Sequence, residues 1–148
     1  MTTVWSESAY PASLVPAPSG EVAHLTFTSP AAGFVVVTAN FATRVHNTPN
    51  VDCRIQTQIA ATAAPPSISG GTAPGFADQW INGNLPTQYN AGTYLGLNAS
   101  ATRVLPVVQG ANTVYLNGHS DCPAVLWGPI TMTALLAQTN PAATITTP

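Results

Sequence analysis

Apolar and polar residues alternate along much of this chain with a period of two, the spacing of a strand whose one face is buried. In residues 23–28, Leu25 and Phe27 alternate with polar neighbours. After the turn Pro30-Ala-Ala-Gly33, residues 34–45 are rich in β-branched and aromatic side chains and apolar on both faces near their start. That pattern predicts a central strand. Residues 53–61 alternate most cleanly, with Cys53, Ile55, Ile59 and Ala61 on one side and Arg54, Gln56 and Gln58 on the other. The second side is expected to be wet.

Strand signals return at residues 93–102, where Leu95, Leu97, Ala99 and Ala101 share a face. They continue through residues 104–108 after a break in register, with Pro106 predicting a sheet edge or a bulge. Gly110-Ala-Asn112 turns into a strand over residues 113–117, and Asn117-Gly118 is a strong tight-turn signal. The last strand, residues 130–136, sends Ile130, Met132, Ala134 and Leu136 inward. Seven or so short strands with frequent turns predict an all-β, two-sheet antiparallel sandwich, jelly-roll-like. An immunoglobulin-like sandwich is the nearest competitor, but its tryptophan between paired cysteines has no convincing equivalent.

Punctuation residues divide the rest. Pro11, Pro16, Pro18 and Pro30 sit among small residues and predict an extended arm over residues 1–22. Its removal is expected to leave the core folded. The sandwich spans residues 23–136, and residues 137–148 form a Thr/Pro/Ala tail. Residues 63–92 hold Pro65, Pro66, Pro74, Pro86 and five glycines, which predicts a long loop with short structure around residues 76–81. Long loops in compact domains are often functional. This one carries Asp78, Trp80 and Tyr89, the candidate contacts for a ligand or partner.

Composition narrows the function. Only 5% of the 148 residues are charged and lysine is absent, where about a quarter charged is ordinary. Arg44, Arg54 and Arg103 are scattered, so no basic surface for nucleic acid is expected. A surface made polar by Thr, Ser, Asn and Gln leaves little repulsion between copies, which favours self-association or docking. Residues 1–7 have neither the positive start nor the apolar stretch of a signal peptide, and no segment has the length and apolarity of a membrane span. The expectation is a protein whose signal has been removed or one released without any, and no membrane partner.

The chemistry is sparse. Glu7, Glu21, Asp52, Asp78 and Asp121 show no pairing in sequence of the kind a glycosidase needs. His119-Ser120-Asp121 contains the three residue types of a hydrolase triad, but neighbours in one turn do not align as nucleophile, base and orienter. His24, His46 and His119 lie in separate segments without a second ligand at metal-site spacing. No catalytic residue, metal site or cofactor is therefore expected. Cys53 and Cys122 are too few for a zinc site and too far apart in sequence for a redox pair. They are either a single disulfide or two buried thiols.

The segments 31–39, 103–116 and 128–135 resemble the small jelly-roll heads of bacterial and phage surface proteins, which are similar to complement-type and tumour necrosis factor-like heads. The likeness is one of pattern: a glycine-led central strand, a late hairpin and a final strand ending in small and apolar residues. The resemblance implies a compact trimer that caps a fibre or decorates a particle, here without any collagen-like or coiled-coil stalk. The functional expectation is thus a non-enzymatic assembly protein at a virion surface, a capsid decoration or fibre-head subunit. A secreted or cell-surface carbohydrate- or receptor-binding module is the alternative.

Overall fold

A computed structural model describes residues 3–9, 20–46, 53–64, 76–81, 94–121 and 124–137 of the chain. Its strands are β1 (Val4–Ala9), β2 (Glu21–Ser29), β3 (Gly33–His46), β4 (Cys53–Ala60), β5 (Phe76–Ile81), β6 (Tyr94–Val107), β7 (Gly110–Ser120) and β8 (Ala124–Ala137). They form two four-stranded antiparallel sheets in the orders β1-β8-β3-β6 and β2-β7-β4-β5. The two sheets pack into a β-sandwich. Pairing is nested: first strand with eighth, second with seventh, third with sixth, fourth with fifth.

The period-two pattern places the core between the sheets. Leu25 and Phe27 from β2, Ile59 from β4, and Val114 and Leu116 from β7 meet Val35, Val37 and Ala39 from β3 and Met132 and Ala134 from β8. Val35, Val37, Ile59 and Leu116 are fully shielded from solvent. Strand β3 is flanked by β6 and β8, the central place its apolar start predicts. The expected short structure around residues 76–81 is β5, the edge of the second sheet.

Several expectations need correction. The arm assigned to residues 1–22 is part of the sandwich over Val4–Ala9, where β1 pairs with β8 from Val4–Leu135 to Ala9–Ile130. The Trp5 ring packs on Phe27 with centroids 4.5 Å apart, so an aromatic among prolines and small residues found a core to join. The break in register before residue 104 does not occur: β6 pairs with β3 without interruption from Tyr94–His46 to Val107–Gly33. Arg103 disguised the pattern by occupying the alternation of Ala101, Leu105 and Val107, and its guanidinium donates to the Ile59 carbonyl across the sandwich at 2.7 Å. Pro106 does lie in an edge strand, where a missing N–H is tolerated.

Asn117-Gly118 is not a turn. Both residues are buried inside β7, opposite Gln58 and Thr57, and the Asn117 amide donates to the Thr62 carbonyl at 2.9 Å. The turn expected at Gly110-Ala-Asn112 does form between β6 and β7, where Gly110 adopts φ 101°. That left-handed backbone suits glycine. Asn112 closes the turn, its amide donating to the carbonyls of Val108 and Gly110 while its oxygen accepts from the Val108 N–H.

The side of β4 expected to be wet is closed at Gln56, which is fully buried. Strand β4 lies between β5 and β7, and the Gln56 carboxamide is oriented so that its oxygen accepts two bonds from the Arg54 guanidinium, at 2.9 and 3.0 Å. Ala61, expected on the dry side, lies beyond the end of β4 and is exposed. One interior strand carries a proline: β8 contains Pro129. There the register of β3 with β8 shifts between Asn40 and Ala42, the irregularity a missing ladder donor demands.

Candidate functional site

The two sheets present different outer faces. On the second sheet, β4 carries Arg54 and Gln56 outward, and β7 places His119 opposite Gln56. His119 Nε2 lies 2.8 Å from Asp121 Oδ1, and the Asp121 N–H donates to the Arg54 carbonyl at 3.0 Å. Ser120 is the buried residue between them, opposite Ile55. Alternation along β7 thus puts Ser120 on the inner side of the sheet and His119 on the outer side, which separates nucleophile from base.

Strand β5 adds the two contacts expected from the loop. Asp78 stands in register with Gln56 and Trp80 with Arg54. The structure therefore brings Asp78 and Trp80 to one end of this sheet, at its edge, beside the Arg54, Gln56 and His119 row. Tyr89 and Cys122 lie outside the described residues. Further along the same face, His24 Nδ1 meets Glu21 Oε1 at 2.6 Å and the Thr26 and Thr113 hydroxyls lie 3.2 Å apart. His24 and His119 sit on different strands, and among the described residues no three His, Cys, Asp or Glu side chains gather as a metal cluster.

The first sheet is the more unusual surface. Val4 pairs with Leu135, Leu135 with Val36, and Val36 with Val104. These four residues form an apolar row across all four strands, about 14 Å wide at the usual strand spacing. Val4 is 56%, Leu135 37% and Val104 36% exposed, and Val36 is half-buried between them. Two residues further along each strand in one direction, Phe34 and the exposed Pro106 extend the patch.

In the other direction the row is Ser6, Thr133, Thr38 and Thr102. Its hydroxyls meet in pairs, Ser6 with Thr133 at 3.4 Å and Thr38 with Thr102 at 3.3 Å. Beyond it, Asn40, Asn98, Ser100 and Thr131 line a shallow depression beside the Pro129 irregularity. None of the residues named in these rows is charged. A solvated sheet face is ordinarily polar. This one has an apolar band bordered by hydroxyls.

Sequence reasoning named contacts on the second sheet and missed this band. Its signal lay in Phe34-Val35-Val36-Val37, where both faces of one strand are apolar although only Val35 and Val37 enter the core. Val104 and Leu135 repeat the signal at outward positions. No protein-family model matches the chain, and no curated protein matches it.

Proposed function

We propose that this chain is a non-enzymatic assembly subunit, a small jelly-roll head that associates with copies of itself as a compact trimer at the surface of a larger particle such as a virion. The observation that carries the reading is the exposed apolar band Val4–Leu135–Val36–Val104 on the first sheet. Contiguous apolar surface rimmed by polar groups marks interaction sites. Copies approach through this band without separating charges from water, because none of the described residues in its rows is charged.

Two further features support the reading. Nested strand pairing is what results when one long hairpin of eight strands is rolled into two sheets, the jelly-roll plan. Pro106 also removes a backbone donor from edge strand β6, which disfavours edge-to-edge growth and leaves the face for association.

Sedimentation of the purified chain across a dilution series tests the proposal. The expected result is a discrete species of three 15.2 kDa chains that dissociates on dilution. A monomer at every concentration would move the assignment to a binding module that uses the β5 edge at Asp78 and Trp80.

A further inference from the structure

The register of β3 with β8 shifts between Asn40 and Ala42, and a depression opens there. Asn40 pairs with Thr131 and Ala42 with Trp127, so the single β3 residue Phe41 stands opposite residues 128–130 of β8, Pro129 among them. Proline brings no N–H to the ladder, and bulges are over-represented next to active sites, where they re-aim side chains. Phe41 is 4% exposed and belongs to the core, which sends its neighbours Asn40 and Ala42 to the outer face. On the other side β6 runs in unbroken register, setting Ser100 opposite Asn40 and Asn98 opposite Ala42.

The depression holds about 510 Å3, within the range of about 300–1,000 Å3 usual for small-molecule sites. Ala42 is a short side chain among longer outward neighbours. Asn40, Asn98, Ser100 and Thr131 stand around it, and Pro129 adds an apolar edge. Two carboxamides and two hydroxyls offer donor and acceptor atoms together, and none of the lining residues is charged. A phosphate, carboxylate or ammonium would give up hydration here with no counter-charge in return. A wholly apolar ligand would strip water from the amides without replacing their hydrogen bonds. A pyranose ring meets both demands, because its hydroxyls donate and accept while its C–H face suits the Ala42 and Pro129 surface. We infer that this depression is a binding site for a neutral saccharide.

The site is distinct from the edge at Asp78 and Trp80, which belongs to the other sheet. It is also separate from the apolar band: Asn40 lies four residues beyond Val36 along β3, about 14 Å at the usual strand rise. The inference therefore does not rest on the proposed self-association. A shallow site of this kind holds one sugar weakly, with Kd on the order of 1 mM. Where the chain also trimerises, three copies of the site act together, and that multivalency strengthens attachment to a polysaccharide surface without any new contact.

Backbone amide shifts of the isotope-labelled full-length chain test it. The neutral probes are maltose, lactose, cellobiose and N,N′-diacetylchitobiose, and glucuronate is the charged comparison. At least one neutral disaccharide is expected to move the amide signals of Asn40, Ala42, Asn98 and Thr131 saturably, with glucuronate binding more weakly. Asn98→Ala, a change at an exposed position of edge strand β6, should weaken that binding about tenfold and leave the rest of the spectrum in place. Ala42→Leu, which fills the depression, should abolish it. No shift at these residues with any of the neutral probes, glucuronate binding as tightly as they do, or shifts undiminished by Asn98→Ala would each overturn the inference. The exposed Asn98→Ala variant keeps the test decisive even if Ala42→Leu fails to fold.

Discussion

Lysine in place of Val104 is expected to leave the sandwich folded and to abolish the proposed self-association. Val104 points out of edge strand β6, 36% exposed, and takes no part in the core, so the isolated chain tolerates a charge there. Surface substitutions away from special features change stability by about 0.5 kcal/mol or less. In an assembled face the same ammonium would be taken out of water with no carboxylate in the rows around it. Leaving a charge desolvated and unpaired costs several kcal/mol, and each 1.4 kcal/mol is tenfold in affinity. A weakening of at least about 100-fold follows, read as a monomer at concentrations where the wild type is assembled. Unchanged circular dichroism and Tm would show that the fold survived. An unaltered oligomer would remove the band from the interface.

Deletion of residues 1–9 is expected to destabilise the domain by about 3–5 kcal/mol, the range for loss of a large core aromatic. Trp5 is the reason. Its ring covers Phe27, itself 4% exposed, and the backbone beneath it pairs with β8 along six residues. The Thr3 carbonyl accepts a further bond from the Leu136 N–H at 3.0 Å. Without β1 the strand β8 becomes an edge, with a row of backbone groups open to another chain. Against a typical total of about 5–15 kcal/mol, that loss shows clearly in the midpoint of urea unfolding. An unchanged midpoint would mean that this segment is a detachable arm, as the prolines that follow it suggest.

The contrast between those outcomes shows what the sequence could convey. The sandwich was legible because the core strands keep strict alternation: Leu25 and Phe27, Ile55 and Ile59, and Ile130, Met132 and Ala134 all point where a period of two sends them. Misreadings arose where a long-range partner overrode a local signal. Asn117-Gly118 has the composition of a hairpin turn, yet β4 on one side and the Thr62 carbonyl hold it in a strand. Arg103 looked like a break in β6 because only the folded chain supplies the Ile59 carbonyl it binds. Trp5 gives no core signal in the sequence because its partner Phe27 lies 22 positions along the chain.

The candidate site was less legible than the fold. Asp78 and Trp80 were singled out for their residue types, and the register of β5 with β4 gives them neighbours that sequence distance concealed. The apolar band joins residues from four strands, Val4, Val36, Val104 and Leu135, each unremarkable among its own neighbours in the chain. Only strand order makes them one surface.

Side-chain footprinting of the wild-type chain across a concentration series tests most directly the proposal that the chain self-associates through its first sheet. Carbene labelling reads the exposure of individual side chains, and the exposed His24 on the outer face of the second sheet provides an internal reference. The account predicts that labelling of Val4, Val104 and Leu135 falls on assembly while that of His24 stays constant. Equal labelling of these three residues in monomer and oligomer, with protection of the second sheet instead, would contradict it.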